Sequence, residues 1–113
     1  MTPPRFVPDV GDIVWLELSP RTGREQSGRR PVLVLSPKSF NRRSGLLVCC
    51  PMTTQEKGYP FEVVLQGDES GVVLVDQVRS VDWLVRGATL KARASASNMA
   101  EVRGKLLAVV GAI

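Results

Sequence analysis

Any chemistry in this chain is done without histidine, because it contains none. Imidazole is the side chain whose ordinary pKa lies near neutrality, so a reaction that uses a histidine pair to carry protons is excluded. Thiol chemistry is confined to Cys49 and Cys50. Adjacent side chains in a strand point to opposite faces, which makes an ordinary disulfide between them awkward, and both are expected as free thiols. One cysteine pair and no histidine also leave a tetrahedral zinc site without ligands. The acidic pairs available to hold two metals, Asp9 with Asp12 and Asp68 with Glu69, sit beside glycines and read as turn residues. No metal and no other cofactor is expected. Arginine, in contrast, is concentrated: Arg21, Arg24, Arg29 and Arg30 fall close together, Arg42 and Arg43 follow, and the formal net charge is +4. That density suits a polyanionic partner, although a solvated basic loop would show it too.

The scaffold that must position these groups fits a single domain over residues 1–113, since a core of this size cannot be divided without leaving fragments too small to bury much. With 43% apolar and 23% charged residues, no part is poor enough in Leu, Ile and Val to be read as disordered. No apolar run approaches the roughly 20 residues of a membrane span. The N-terminal MTPPRFVPDVGD lacks the apolar stretch of a secretory signal, so the cytoplasm is the expected location.

IVWLEL at 13–18 is rich in β-branched and aromatic residues and reads as a strand entered through Gly11 and Asp12. RTGREQSGRR, with two glycines and no apolar residue, reads as an exposed loop. PVLVLSP at 31–37 and GLLVCCPMTT at 45–54 read as buried strands, separated by a polar stretch with room for one short helical turn. FEVVLQ at 61–66 and GVVLVDQV at 71–78 flank GDESG as a hairpin, and WLVRGATLKARA supplies one or two further strands. Towards the end the period changes to 3.6. Met99, Val102, Leu106, Val109 and Val110 share one helical face, with Ser97 or Asn98 as N-cap and Glu101 placed for the helix dipole. Gly104 weakens that helix by up to about 1 kcal/mol, so packing must hold it. The expected fold is mainly β, a small antiparallel barrel-like sheet with a C-terminal helix.

GDIVW, GREQSGRRP running into VLVLSP, PMTTQEKGYPFEVVL, VDQVRS and DWLVRGAT together resemble the MazF/PemK toxin family in content, order and spacing. The likeness runs from about Arg5 to Gly111, and several strings are too long and polar to follow from strand patterning. It implies a PemK-like, SH3-like antiparallel β-barrel and a homodimer. It implies an endoribonuclease that cuts single-stranded RNA (mRNA) at a short motif without a metal, leaving 2′,3′-cyclic phosphate and 5′-hydroxyl ends. It further implies a MazE-like antitoxin that covers the RNA groove.

Carried over residue by residue, the resemblance assigns catalysis to Glu25, Arg30 and Thr53. A guanidinium keeps its charge and can grip two phosphate oxygens, which suits Arg30 to stabilising a phosphorane, against the bland alternative of a surface arginine at a strand entrance. Thr53 can donate its hydroxyl to a phosphate oxygen, although threonine is common in strands for packing alone. Glu25 is the candidate base, but an exposed carboxylate near pKa 4.3 is weak against a 2′-hydroxyl, and it can instead position Arg30 or a nucleotide. Gln26, Thr54, Gln55, Lys57, Asp76 and Gln77 are the expected RNA contacts, because amides and carboxylates read base edges exposed only in unpaired RNA. Arg29 joins them, standing where some relatives carry histidine; a fixed charge there cannot act as a general acid. Tyr59 is open to base stacking, whereas Trp15 and Trp83 are read as core or dimer interface. Two other functions fit the fold: a gyrase-poisoning toxin, and a non-catalytic RNA-binding module with the same basic groove.

Overall fold

The computed structural model describes residues 6–18, 28–66 and 71–112. Glu25, Gln26 and most of the expected loop over 21–30, and most of the GDESG turn, lie outside those described residues, while Arg29 and Arg30 at the end of that loop belong to a strand. The described elements run β1 (Asp12–Glu17), β2 (Arg29–Val34), α1 (Lys38–Ser44), β3 (Leu46–Thr53), β4 (Glu62–Leu65), β5 (Gly71–Leu74), β6 (Arg79–Asp82), β7 (Thr89–Arg93) and α2 (Ala96–Val109). All recorded pairings are antiparallel, in the order β4-β5-β3-β2-β1-β7, with β6 also paired to β3. The result is a curled antiparallel sheet, a half-barrel with one C-terminal helix.

β3 is the axis of the fold because it changes partners along its length. Its first half pairs with β6, Cys49 facing Arg79, and its end pairs with β5, Met52 facing Val73. The 3₁₀ turn Val75–Gln77 carries the chain from one partnership to the other. The stretch read from sequence as a single strand over 71–78 is therefore divided, and β6 begins where that strand was expected to end. Two prolines mark the same region. Leu35 N–H donates to the Val48 carbonyl at 2.8 Å, so alternate residues of β2, Leu33 and then Pro31, direct their backbone groups at β3. Pro31 has no N–H to give, and the β2–β3 ladder ends at Val32↔Pro51. By the same alternation Pro51 turns its backbone towards the other side of β3, where β6 gives way to β5.

The sheet buries both faces. Ile13, Leu33, Cys50, Met52, Val63, Leu65, Val73 and Val75 pack beneath Met99 and Val102 of α2. Val14, Leu16, Val32, Val34, Leu47, Cys49, Val81 and Trp83 fill the opposite face. The alternation of IVWLEL and VLVL is thus two-sided, apolar on both faces, as a doubly covered sheet requires. Burial pushes the Cys49 and Cys50 thiols up to about 12.

Both helices depart from the sequence reading. α1 has seven residues, more than the single turn expected, and closes on Gly45, whose φ of 74° is a left-handed conformation natural to glycine. Its Asn41 is fully buried and knits three segments together. The Asn41 amide donates to the Pro8 carbonyl (2.9 Å) and the Ser36 carbonyl (3.0 Å), and its side-chain oxygen accepts from the Ser36 hydroxyl (2.6 Å). The Asn41 backbone carbonyl accepts from Trp83 Nε1 at 2.9 Å. In α2 the N-cap is Ser95, whose Oγ accepts from Asn98 N–H, rather than Ser97 or Asn98. The helix accordingly starts at Ala96, which puts Glu101 beyond the first turn and leaves Val110, 62% exposed, as the C-cap instead of a core residue.

Candidate functional site

Arg30 and Thr53 stand at the ends of neighbouring strands. Val32 faces Pro51 in the last pair of the β2–β3 ladder, and Arg30 and Thr53 each lie two residues beyond it. Side chains two apart share a face, which places both on the face of Val32, Leu16 and Cys49, at the end of that packed row. Each is half-buried. Thr53 Oγ1 accepts from Gln55 N–H at 3.3 Å, and its own proton remains to be donated elsewhere.

Arg29 goes the other way. Next to Arg30 in a strand, it projects from the opposite face, where Nη2 donates to the Gly87 carbonyl (3.2 Å) and to Thr89 Oγ1 (3.0 Å). The structure brings Arg30 and Thr53 to one face and does not bring Arg29 there. Thr54, Gln55 and Lys57 are exposed in the loop that leaves β3 directly after Thr53. Asp76, exposed, and Gln77, half-buried, lie in the 3₁₀ turn, whose Val75 carbonyl accepts from Cys50 Sγ at 3.9 Å. They therefore flank the middle of β3 rather than its end.

Three residues with a bearing on the site were not singled out from sequence. Arg79 faces Cys49 across the β3–β6 ladder and so shares the face of Arg30 and Thr53. Arg79 and Arg86 are both near enough to Cys49 for their charges to favour its thiolate, although burial outweighs them. Arg86 Nη1 donates to the Glu17 carbonyl at 2.8 Å, tying it to β1. Isolated arginines in VRS and VRG carry no sequence signal beyond charge. The third is Glu62, 8% exposed, whose carboxylate accepts from the backbone N–H groups of Lys57, Gly58 and Tyr59. An acid at the start of an apolar strand was the available clue. Trp83 is core, and Trp15 is half-buried with Lys91 Nζ 5.8 Å from its ring centroid.

The arrangement offers guanidinium groups and a hydroxyl on one sheet face at a strand end, which is chemistry for gripping a phosphodiester. Residues 9–110 match the family described as PemK-like, MazF-like toxin of type II toxin-antitoxin system. The chain is 47% identical over 108 residues to the endoribonuclease toxin MazF of Escherichia coli (strain K12), covering 95% of this chain and 97% of that protein. Its fold superposes on a crystal structure of MazF from Deinococcus radiodurans with a TM-score of 0.91 and 52% identity, covering 95% of this chain and 99% of that one. A MazE-MazF crystal structure from the same organism matches with a TM-score of 0.85 and 52% identity, over 95% and 98% of the two chains.

Proposed function

The chain belongs to the PemK-like, MazF-like toxins of type II toxin-antitoxin systems, and from that membership we propose that Arg30, Thr53 and Glu25 form the centre at which it cuts RNA. It is an endoribonuclease toxin with an antitoxin partner of the MazE kind. The observation that supports the site assignment is the Val32↔Pro51 pair, from which alternation along β2 and β3 puts Arg30 and Thr53 on one face at neighbouring strand ends.

In the reaction the 2′-oxygen attacks the adjacent phosphorus, its proton leaves to a base, and the bond from phosphorus to the 5′-oxygen breaks as that oxygen takes up a proton from water. The products are a 2′,3′-cyclic phosphate and a 5′-hydroxyl. Negative charge grows on the phosphoryl oxygens as the phosphorane forms, and a fixed guanidinium at Arg30 stabilises it more than it stabilises the ground state. Thr53 donates its hydroxyl to a phosphate oxygen and fixes the direction of attack. Glu25 supplies the carboxylate of the expected loop. With the positive charge provided by Arg30, and by Arg79 and Arg86 on the same side of the sheet, the reaction proceeds without a metal.

The exposed Thr54, Gln55 and Lys57 follow Thr53 without a break, so a single strand running past the scissile phosphate meets them next. This supports recognition of a short unpaired motif. The active form is a homodimer acting in the cytoplasm, a setting that suits the free thiols of Cys49 and Cys50. Mapping 5′ ends after digestion of a long unstructured RNA, with and without EDTA, tests the proposal. Cuts at one short motif that persist under chelation are expected. Cleavage that stops with EDTA refutes the metal-free mechanism.

A further inference from the structure

The carboxylate of Glu62 is turned away from the strand it begins and into the loop that precedes it. Oε1 accepts from the backbone N–H groups of Lys57 (3.1 Å), Gly58 (2.9 Å) and Tyr59 (3.3 Å), and Oε2 is 3.3 Å from the Lys57 nitrogen. Three successive N–H groups converging on one anion form a nest, here filled by the protein's own side chain. Gly58 makes the turn possible: its φ is 77°, and a β-carbon built there would meet no atom within 4 Å. The backbone of Glu62 is held in place too. Its N–H donates to the Tyr59 carbonyl (3.2 Å), and its carbonyl accepts from Lys105 Nζ (2.7 Å) on α2. One end of the latch is therefore anchored to the terminal helix and the other grips the loop.

What the latch holds is the segment carrying Lys57 and Tyr59, and Tyr59 is 62% exposed although its backbone is tied down. A large aromatic ring facing solvent on a fixed backbone is a surface on which a base can stack. An exposed loop of this kind has no need of a buried carboxylate unless its conformation matters, since water satisfies exposed N–H groups equally well.

We infer that Glu62 is a specificity-determining positioning residue, which fixes the loop after Thr53 so that Gln55, Lys57 and Tyr59 meet the nucleotides beside the cleaved phosphate. The inference rests on the reading of the site at Arg30 and Thr53. Glu62 touches no substrate atom and acts through the loop backbone. Its removal frees the loop to fluctuate, so correctly matched RNA loses its ordered contacts while mismatched RNA, which never made them, loses little.

The test compares the parent with Glu62→Ala, Glu62→Gln, Gly58→Ala and Arg30→Ala on short oligoribonucleotides. One carries the motif mapped for the parent and others carry single-base changes in it. All are assayed below the melting temperature of each variant, with far-UV circular dichroism to follow the fold. Glu62→Ala is expected to lower kcat/KM on the matched motif about 10- to 100-fold, the scale of a misplacement of about 1 Å, while the mismatched substrates change much less. Glu62→Gln keeps one acceptor oxygen and falls between. Should Glu62→Ala fail to fold, Gly58→Ala carries the test, because it strains the same turn from the solvent side and must flatten discrimination likewise. Unchanged discrimination in the folded Glu62 and Gly58 variants, with Arg30→Ala inert, overturns the inference and leaves the site standing. Parent-like cleavage by Arg30→Ala overturns the site, and the inference falls with it.

Discussion

Replacing two neighbouring arginines one at a time separates the faces of β2. Arg30 shares its face with Thr53, while the Arg29 guanidinium is already engaged by Gly87 and Thr89 on the other. A forked guanidinium gives a phosphorane two charge-assisted hydrogen bonds, each worth about 1.5–3 kcal/mol. Losing both costs about 3–6 kcal/mol of transition-state stabilisation, or about 10²- to 10⁴-fold in kcat at about 1.4 kcal/mol per factor of ten. Arg30→Lys retains the charge and loses the fork, so it recovers part of that loss. Arg29→Ala removes two hydrogen bonds at an exposed position and a charge behind the site, so its effect is about fivefold or less and lies in KM, the scale of a screened surface charge. Neither change empties the core, and both variants should melt within a few degrees of the parent. The assay is steady-state cleavage of a fluorogenic oligoribonucleotide containing the mapped motif, in EDTA, with thermal melts alongside. A loss in kcat for Arg29→Ala as large as that for Arg30→Ala would refute the assignment of the two side chains to opposite faces.

Asn41→Ala strands the Pro8 and Ser36 carbonyls and the Ser36 hydroxyl in the interior, at about 1 kcal/mol or more each. A total near 3 kcal/mol lowers the melting temperature by about 10 °C, read by calorimetry, while kcat per folded molecule stays as in the parent. The thiols set a pH limit. Burial raises both from 9.0 in the unfolded chain to about 12, so the folded state holds these protons more tightly. Their stabilising contribution is complete below pH 9 and lost as the pH rises towards 12, which chemical denaturation across that window checks. Below pH 9 neither thiol should react with a disulfide reagent until the protein unfolds.

What could be read from the chain, and what could not, divides by the range of the interaction. IVWLEL, VLVL and LLVCC announce strands through local composition, and β1, β2 and β3 are found there. That Arg30 and Thr53 stand at strand ends was legible because GRRP and PMTT border apolar runs, whereas their catalytic roles came only from the family likeness. Glu62 was not, because its partners are backbone N–H groups and any residue types at 57–59 could have supplied them. Arg79 was hidden just past the end of an apparent strand over 71–78, since the turn at Val75–Gln77 that separates β5 from β6 contains no glycine or proline. Ser95, Ser97 and Asn98 are chemically equivalent N-caps. The choice fell to Ser95 because Ala94 N–H is held by the Gly11 carbonyl at 2.9 Å, keeping the chain extended until just before it.

Pro31 and Pro51 have a consequence for how RNA enters. A cleft that must be prised open by its ligand forfeits the bonds that kept it shut, and affinity drops by that amount. Here Pro31 offers no donor towards Met52, and the β2–β3 ladder stops at Val32 and Pro51. A strand of nucleic acid bound at the proposed site therefore has no β2–β3 ladder bond past Val32 and Pro51 to break.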